Sequence, residues 1–161
     1  MKSFIVLLVF GLGWIAVDPP HQKTETVSYK CMVQMVNYTG EKAYLVISLI
    51  APDGQYVQTL DVMGDDEEWY SDIKEWWSYF EPSGESIDGI SGASIGNGER
   101  QISNFEVAAA KIDAGYSLRF ETAVEDKEYY PTDLEIALSS ETSKGKVEGS
   151  GYIRYVRLLP R

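Results

Sequence analysis

The alternation along residues 116–124 constrains the fold more than any other stretch. Tyr116, Leu118, Phe120 and Val124 fall on one side of an extended chain, while Arg119, Glu121 and Glu125 fall on the other. A period of two is the mark of a strand with one face turned inward and one outward, and it leaves no apolar stripe for a helix. Such a strand needs neighbours. Residues 27–36, 44–50, 56–63, 102–109 and 151–158 supply them, as does the run Leu134, Ile136, Leu138, and all are rich in β-branched and aromatic side chains. On 102–109, Phe105, Val107 and Ala109 share a face. Pro52-Asp53-Gly54 is a turn that joins 44–50 to 56–63 as an antiparallel hairpin, because Pro presets φ and Gly tolerates the left-handed position. Asp113-Ala114-Gly115 is another turn, and 139–150 is a polar loop. About seven strands at short intervals with one helix predict an all-β fold, an antiparallel Ig-like β-sandwich with one inserted amphipathic helix. A chain of 161 residues with 44% hydrophobic content suffices for one core, so residues 27–161 are read as a single domain.

The helix follows an acidic turn. After Asp65-Asp66-Glu67-Glu68, the residues Trp69, Ile73, Trp76, Trp77 and Phe80 recur at helical spacing up to Pro82. This predicts one amphipathic helix over 68–80, placed between the sheets, with acidic residues in its first turn complementing the macrodipole. An EF-hand reading fails, since the ligand pattern and its glycine are missing. The tryptophans cap the core, or else Trp76 or Trp77 walls a flat ring near the loop that begins at Ser86.

Other stretches exclude function classes. Lys2, the apolar run 4–17 and then Asp18-Pro19-Pro20 form a secretory signal pattern, cleaved or retained as an anchor, with 18–26 as a linker. The domain is therefore expected at the periplasmic or extracellular face of the membrane. A net charge of −11 repels a nucleic-acid backbone. Cys31 is the one cysteine and alternates with Tyr29, Val33 and Met35, so it reads as a small buried hydrophobe. The one histidine, His21, sits in the linker, which leaves Ser-His-Asp catalysis and His-based metal sites without a partner residue. Nothing points to an enzyme acting alone.

The stretch that carries chemistry is Asp88-Gly89-Ile90-Ser91-Gly92-Ala93-Ser94. It gathers a carboxylate, hydroxyls and glycines, so nucleophilic oxygens and backbone amides crowd into one loop. As plain structure it is a turn in which Asp88 closes an Asx-turn, Gly89 and Gly92 take positive φ, and the hydroxyls are solvated. As chemistry it resembles the D-x-x-[ST]-G-A-[ST] signature of proteins to which a flavin transferase attaches FMN. That resemblance implies a phosphoester on Ser94, where the signature usually has Thr, with Asp88, Gly89, Ser91, Gly92 and Ala93 as the recognition sequence.

The order of the hairpin, acidic turn, Trp76-Trp77 helix, motif and Ala114-Gly115-Tyr116 strand widens the likeness. It resembles a family of exported bacterial domains of unknown function, associated with flavin transferases and membrane electron-transfer modules. The resemblance implies a sandwich that carries covalent FMN and exchanges electrons with a membrane or periplasmic redox partner. The alternative is a non-catalytic glycan- or protein-binding module that uses the 11 tyrosines and the tryptophan helix. The N-terminal pattern alone predicts that the chain leaves the cytosol. Fractionation checks it: full-length chain in the cytosol, signal intact and free of membrane, contradicts export.

Overall fold

The computed structural model describes residues 24–141 and 145–161. The expected signal at 1–17, His21 and most of the 18–26 linker lie outside the described residues. Two sheets face each other. One has three strands in the order β5-β1-β8, formed by β1 (Thr26–Met35), β5 (Arg100–Ala108) and β8 (Ile153–Pro160). The other has five in the order β4-β3-β2-β6-β7, formed by β2 (Tyr44–Ile50), β3 (Tyr56–Met63), β4 (Ser91–Gly92), β6 (Ser117–Ala123) and β7 (Tyr130–Ala137). Pairing is antiparallel except for the two-residue β3–β4 contact. The sandwich read from the sequence is thus the fold. Ala109 departs from it, opening a short 3₁₀ turn instead of ending β5.

The core between the sheets follows the alternation. Leu45, Ile47 and Leu49 of β2 meet Leu118 and Phe120 of β6, and Cys31 and Val33 reach them from β1. Burial pushes the Cys31 thiol up, with Asp61 adding to the effect, so it stays protonated. Between β7 and β8, the carboxylate of Asp133 gathers the amides of Ser150 (3.0 Å), Gly151 (2.7 Å) and Ile153 (3.0 Å) and the Thr122 hydroxyl (2.7 Å), which fixes the close of the 139–150 loop.

The helix corrects two expectations. It covers the outer face of the five-stranded sheet and does not lie between the sheets: Tyr70, Ile73 and Trp76 pack on Val46, Val62 and Ala123. It is also two pieces, a 3₁₀ segment (Glu67–Asp72) and α1 (Lys74–Ser83). The junction is Ile73, whose φ of −89° and ψ of 74° are not helical. Asp66 caps the first piece through the Glu68 amide at 3.0 Å. The second piece has no side-chain cap of its own, and the sheet beneath supplies one. The Trp76 amide donates to Glu121 Oε2 (3.2 Å), and the Glu75 amide donates to the Tyr129 hydroxyl (2.9 Å). Amides that a helix start leaves orphaned are thereby satisfied from β6 and the β6–β7 turn.

Glu121 on β6 brings a further correction. The alternation places it outward, as observed, but outward here means under the helix, where it is fully buried. Its carboxylate accepts from the Tyr56 hydroxyl and, at 2.6 Å, from the Tyr129 hydroxyl. Burial pushes its pKa above 4.5 even though Tyr129, Tyr56, the Trp76 amide and Arg119 all favour the charged form. The folded state therefore holds a proton on Glu121 more tightly than the unfolded chain does. Its contribution to stability is full below the ordinary glutamate value and is lost as pH rises through the raised folded value. Glu121→Ala, which strands two hydroxyls and an amide, is expected to cost about 2–4 kcal/mol. Glu121→Gln is expected to cost less and to remove this pH-dependent loss. Urea unfolding of wild type and both variants between acid and neutral pH measures the two effects, the second as the difference between the wild-type and Gln profiles.

Candidate functional site

The loop at 88–94 is pinned at both ends by backbone pairing. At its start the Ile87 carbonyl accepts from the amides of Ile90 (2.8 Å) and Ser91 (2.9 Å). Strand β4 then lies parallel to the end of β3, with Val62 opposite Ser91 and Met63 opposite Gly92. The Gly64 amide continues the contact by donating to the Gly92 carbonyl at 2.7 Å. Past the loop, Ile95 and Ala43 exchange hydrogen bonds of 2.8 and 2.9 Å. Ser94 is therefore fixed between the end of β3 and the start of β2.

The register decides its partner. Continuing the pairs Val62/Ser91 and Met63/Gly92 by two residues sets Asp65 against Ser94, and the Ser94 hydroxyl donates to Asp65 Oδ1 at 3.0 Å. Gly64 leaves room for the Tyr44 ring beside this contact, since a Cβ there would sit 2.3 Å from a Tyr44 ring carbon. Asp65 is exposed, yet its own backbone amide and then the Ser94 hydroxyl hold its carboxyl below the usual range, with Lys42 contributing. Ser94 itself is only 8% exposed. It lines a cleft of about 250 Å³ together with Lys42, Tyr44, Trp69, Asp72 and Glu125. That is just below the roughly 300–1,000 Å³ of small-molecule pockets. Glu41 adds a further carboxylate to the rim.

Of the sequence-derived site residues, Ser94 lines this cleft and only Asp88 and Trp77 line another. That second cleft, of about 300 Å³, is also lined by Phe80 and Glu67. Trp77 is half-buried there. Gly89, Ser91, Gly92 and Ala93 are exposed on the loop. Trp76 is not available to wall a ring: it is fully buried, stacked on Phe80 at 4.6 Å, and its indole N–H donates to Thr59 at 3.0 Å. The aromatic groups beside Ser94 are Tyr44 and Trp69, the latter 36% exposed. Sequence spacing missed Trp69 as a wall because the break at Ile73 turns the first helical piece toward the cleft. It also missed Asp65 and Lys42, whose only signal is that they flank the ends of β3 and β2.

The loop does turn at 88–90, closed by the Ile90 amide on the Ile87 carbonyl, but without the expected glycine conformations or side-chain closure. Neither Gly89 nor Gly92 has positive φ, and a Cβ on either would meet nothing within 4 Å. Asp88 is exposed and, among the described residues, its carboxylate makes no hydrogen bond, so no Asx-turn forms. Ser91 is solvated as that reading requires, whereas Ser94 is not. The fold thus places no demand for glycine at either position.

The family model described as "Predicted periplasmic protein (DUF2271)" matches residues 26–155, and the chain belongs to that family. The match agrees with the exported domain and the extracytoplasmic location read from the sequence. Among the described residues no helix is long and apolar enough to cross a membrane. No curated protein and no solved structure matches the chain.

The two kinds of glycine behave differently on substitution. Gly64→Ala drives a methyl into the Tyr44 ring and is expected to cost about 1–3 kcal/mol. Gly92→Ala meets open space and is expected to change stability by less than about 0.5 kcal/mol. Thermal unfolding of both variants checks the contrast.

Proposed function

We propose that this periplasmic-family domain is an extracytoplasmic electron carrier with FMN joined by a phosphoester to Ser94, placed there by a partner flavin transferase. The observation that carries the reading is the contrast within the motif. Its final hydroxyl, Ser94, is enclosed and hydrogen-bonded in a cleft, and its glycines answer to no requirement of the fold. Small residues that the fold does not require fit a sequence read by another protein.

The residues present suit the group. Ser94 offers a hydroxyl whose proton already has an acceptor, Lys42 supplies a cation against a phosphate, and Trp69 and Tyr44 offer aromatic surface for a flat ring. FMN supplies the one- and two-electron chemistry that side chains lack, and the protein supplies position and exclusion of water. A membrane or periplasmic redox partner would exchange electrons with it. A second reading rests on the same cleft: Trp69 beside Asp72 and Glu125 pairs an apolar face with hydrogen-bond acceptors, as a glycan- or protein-binding module would.

Intact mass separates the two. Co-produced with a flavin transferase, the protein is expected to gain the mass of one FMN less water. Ser94→Ala abolishes the gain, and Ser91→Ala leaves at least part of it. A wild-type mass that stays unmodified beside a transferase of proven activity from the same source rejects the carrier and leaves the binding module.

A further inference from the structure

We propose that Asp65 accepts the Ser94 proton as the phosphoester forms, and that this pairing selects Ser94 over Ser91 as the modified hydroxyl; the inference rests on the carrier reading above. The motif contains two serines three residues apart, both nucleophiles by type. Only one has a carboxylate. Ser94 donates to Asp65 Oδ1 at 3.0 Å, while Ser91, among the described residues, is exposed and has no side-chain hydrogen bond. The pairing follows from the β3–β4 register, so it is built into the sheet edge and does not depend on a flexible loop. Asp65 lies outside the motif, 29 residues before Ser94 in the chain.

The step balances without a change in oxidation state. Ser94 Oγ attacks the FMN-side phosphorus of FAD, which the transferase holds with Mg²⁺. The Oγ–P bond forms, the P–O bond to the AMP half of the pyrophosphate breaks, and AMP departs with that electron pair. The proton on Oγ passes to Asp65 Oδ1 and from there to water. The phosphorus under attack carries an ester to the riboflavin half and has two free oxygens, so its displacement is tighter than transfer of a terminal phosphoryl group, and an acceptor that orients the hydroxyl and takes its proton as the new bond forms assists the step. Asp65 suits that role because it is ionised at neutral pH: its hydrogen bonds hold its carboxyl low. Lys42, on the same cleft, adds to this.

The test measures the rate of mass gain with purified transferase, FAD and Mg²⁺. Asp65→Asn keeps the shape and a hydrogen-bond acceptor but cannot take a proton, and it is expected to slow modification by about 10²-fold. Asp65→Glu regains part of the rate, Glu68→Gln makes the same change in net charge nearby and proceeds at the wild-type rate, and thermal unfolding confirms that all three variants are folded. Asp65→Asn modified as fast as wild type overturns the role of Asp65 and leaves the carrier reading standing. Equal slowing by Asp65→Asn and Glu68→Gln also overturns it, since the transferase would then be sensing charge alone. Wild type that gains no mass rejects the carrier reading, and this inference with it.

Discussion

A carboxylate buried between a sheet and a helix is the interaction on which the rest depends. Taking Glu121 out of water costs several kcal/mol, and hydrogen bonds from two tyrosines and a helix amide offset that cost only where all of them are present together. The geometry that satisfies Glu121 is therefore the geometry that fixes where α1 starts. Hydrogen bonding continues along the same face, from the Trp76 indole to Thr59 and from Thr59 to Glu85. A sheet face that alternation alone would leave in water becomes a second core, and the helix is locked over it at both ends.

That lock reaches the cleft beside Ser94. Because α1 begins at Lys74 under the control of Glu121 and Tyr129, the segment before it must cover the distance from the end of β3 as a separate 3₁₀ turn. Tyr70 ties this turn back through its hydroxyl to the Gly64 carbonyl at 3.0 Å, and Tyr44 packs edge-on against it. Trp69, the residue before Tyr70, is left on the outside facing the cleft. Meanwhile Gly64 holds the β4 loop by its amide, and the next residue meets Ser94. Two successive positions after β3, Gly64 and Asp65, thus connect the helical segment, the loop and the Ser94 hydroxyl.

Much of the scaffold was legible because strand signals are local. The spans 44–50 and 56–63 and the turn between them could be read from β-branched runs and Pro-Asp-Gly, and the motif put forward Ser94 as the candidate hydroxyl, which lines a cleft. The failures share one cause. Periodicity reports which side of an element a residue occupies, but not what covers that side, so Glu121 looked solvated and Trp76 looked available for stacking. The break at Ile73 was invisible for the same reason: the amides that stop the helix from running continuously are claimed by side chains 45 or 54 residues away. Asp65 is set by strand register across 29 residues, which no window of sequence contains.

The charge around the cleft bears on why a carrier of this kind would bind its cofactor covalently. Glu41, Asp72 and Glu125 line it, Asp65 adjoins it, and Lys42 is the cation among the lining residues. Two unit charges about 4 Å apart interact by about 1 kcal/mol in water and about 4 kcal/mol near a protein surface. An excess of carboxylates therefore weakens the reversible binding of any phosphate-bearing ligand. A cofactor held only by affinity would leave such a site, and outside the cytosol dilution would remove it. A phosphoester removes affinity from the problem, because the linked ring stays at a fixed effective concentration whatever the local field. On the carrier reading proposed above, the acidic rim would disfavour free anions in the cleft and leave Trp69 and Tyr44 as the surfaces for a tethered ring.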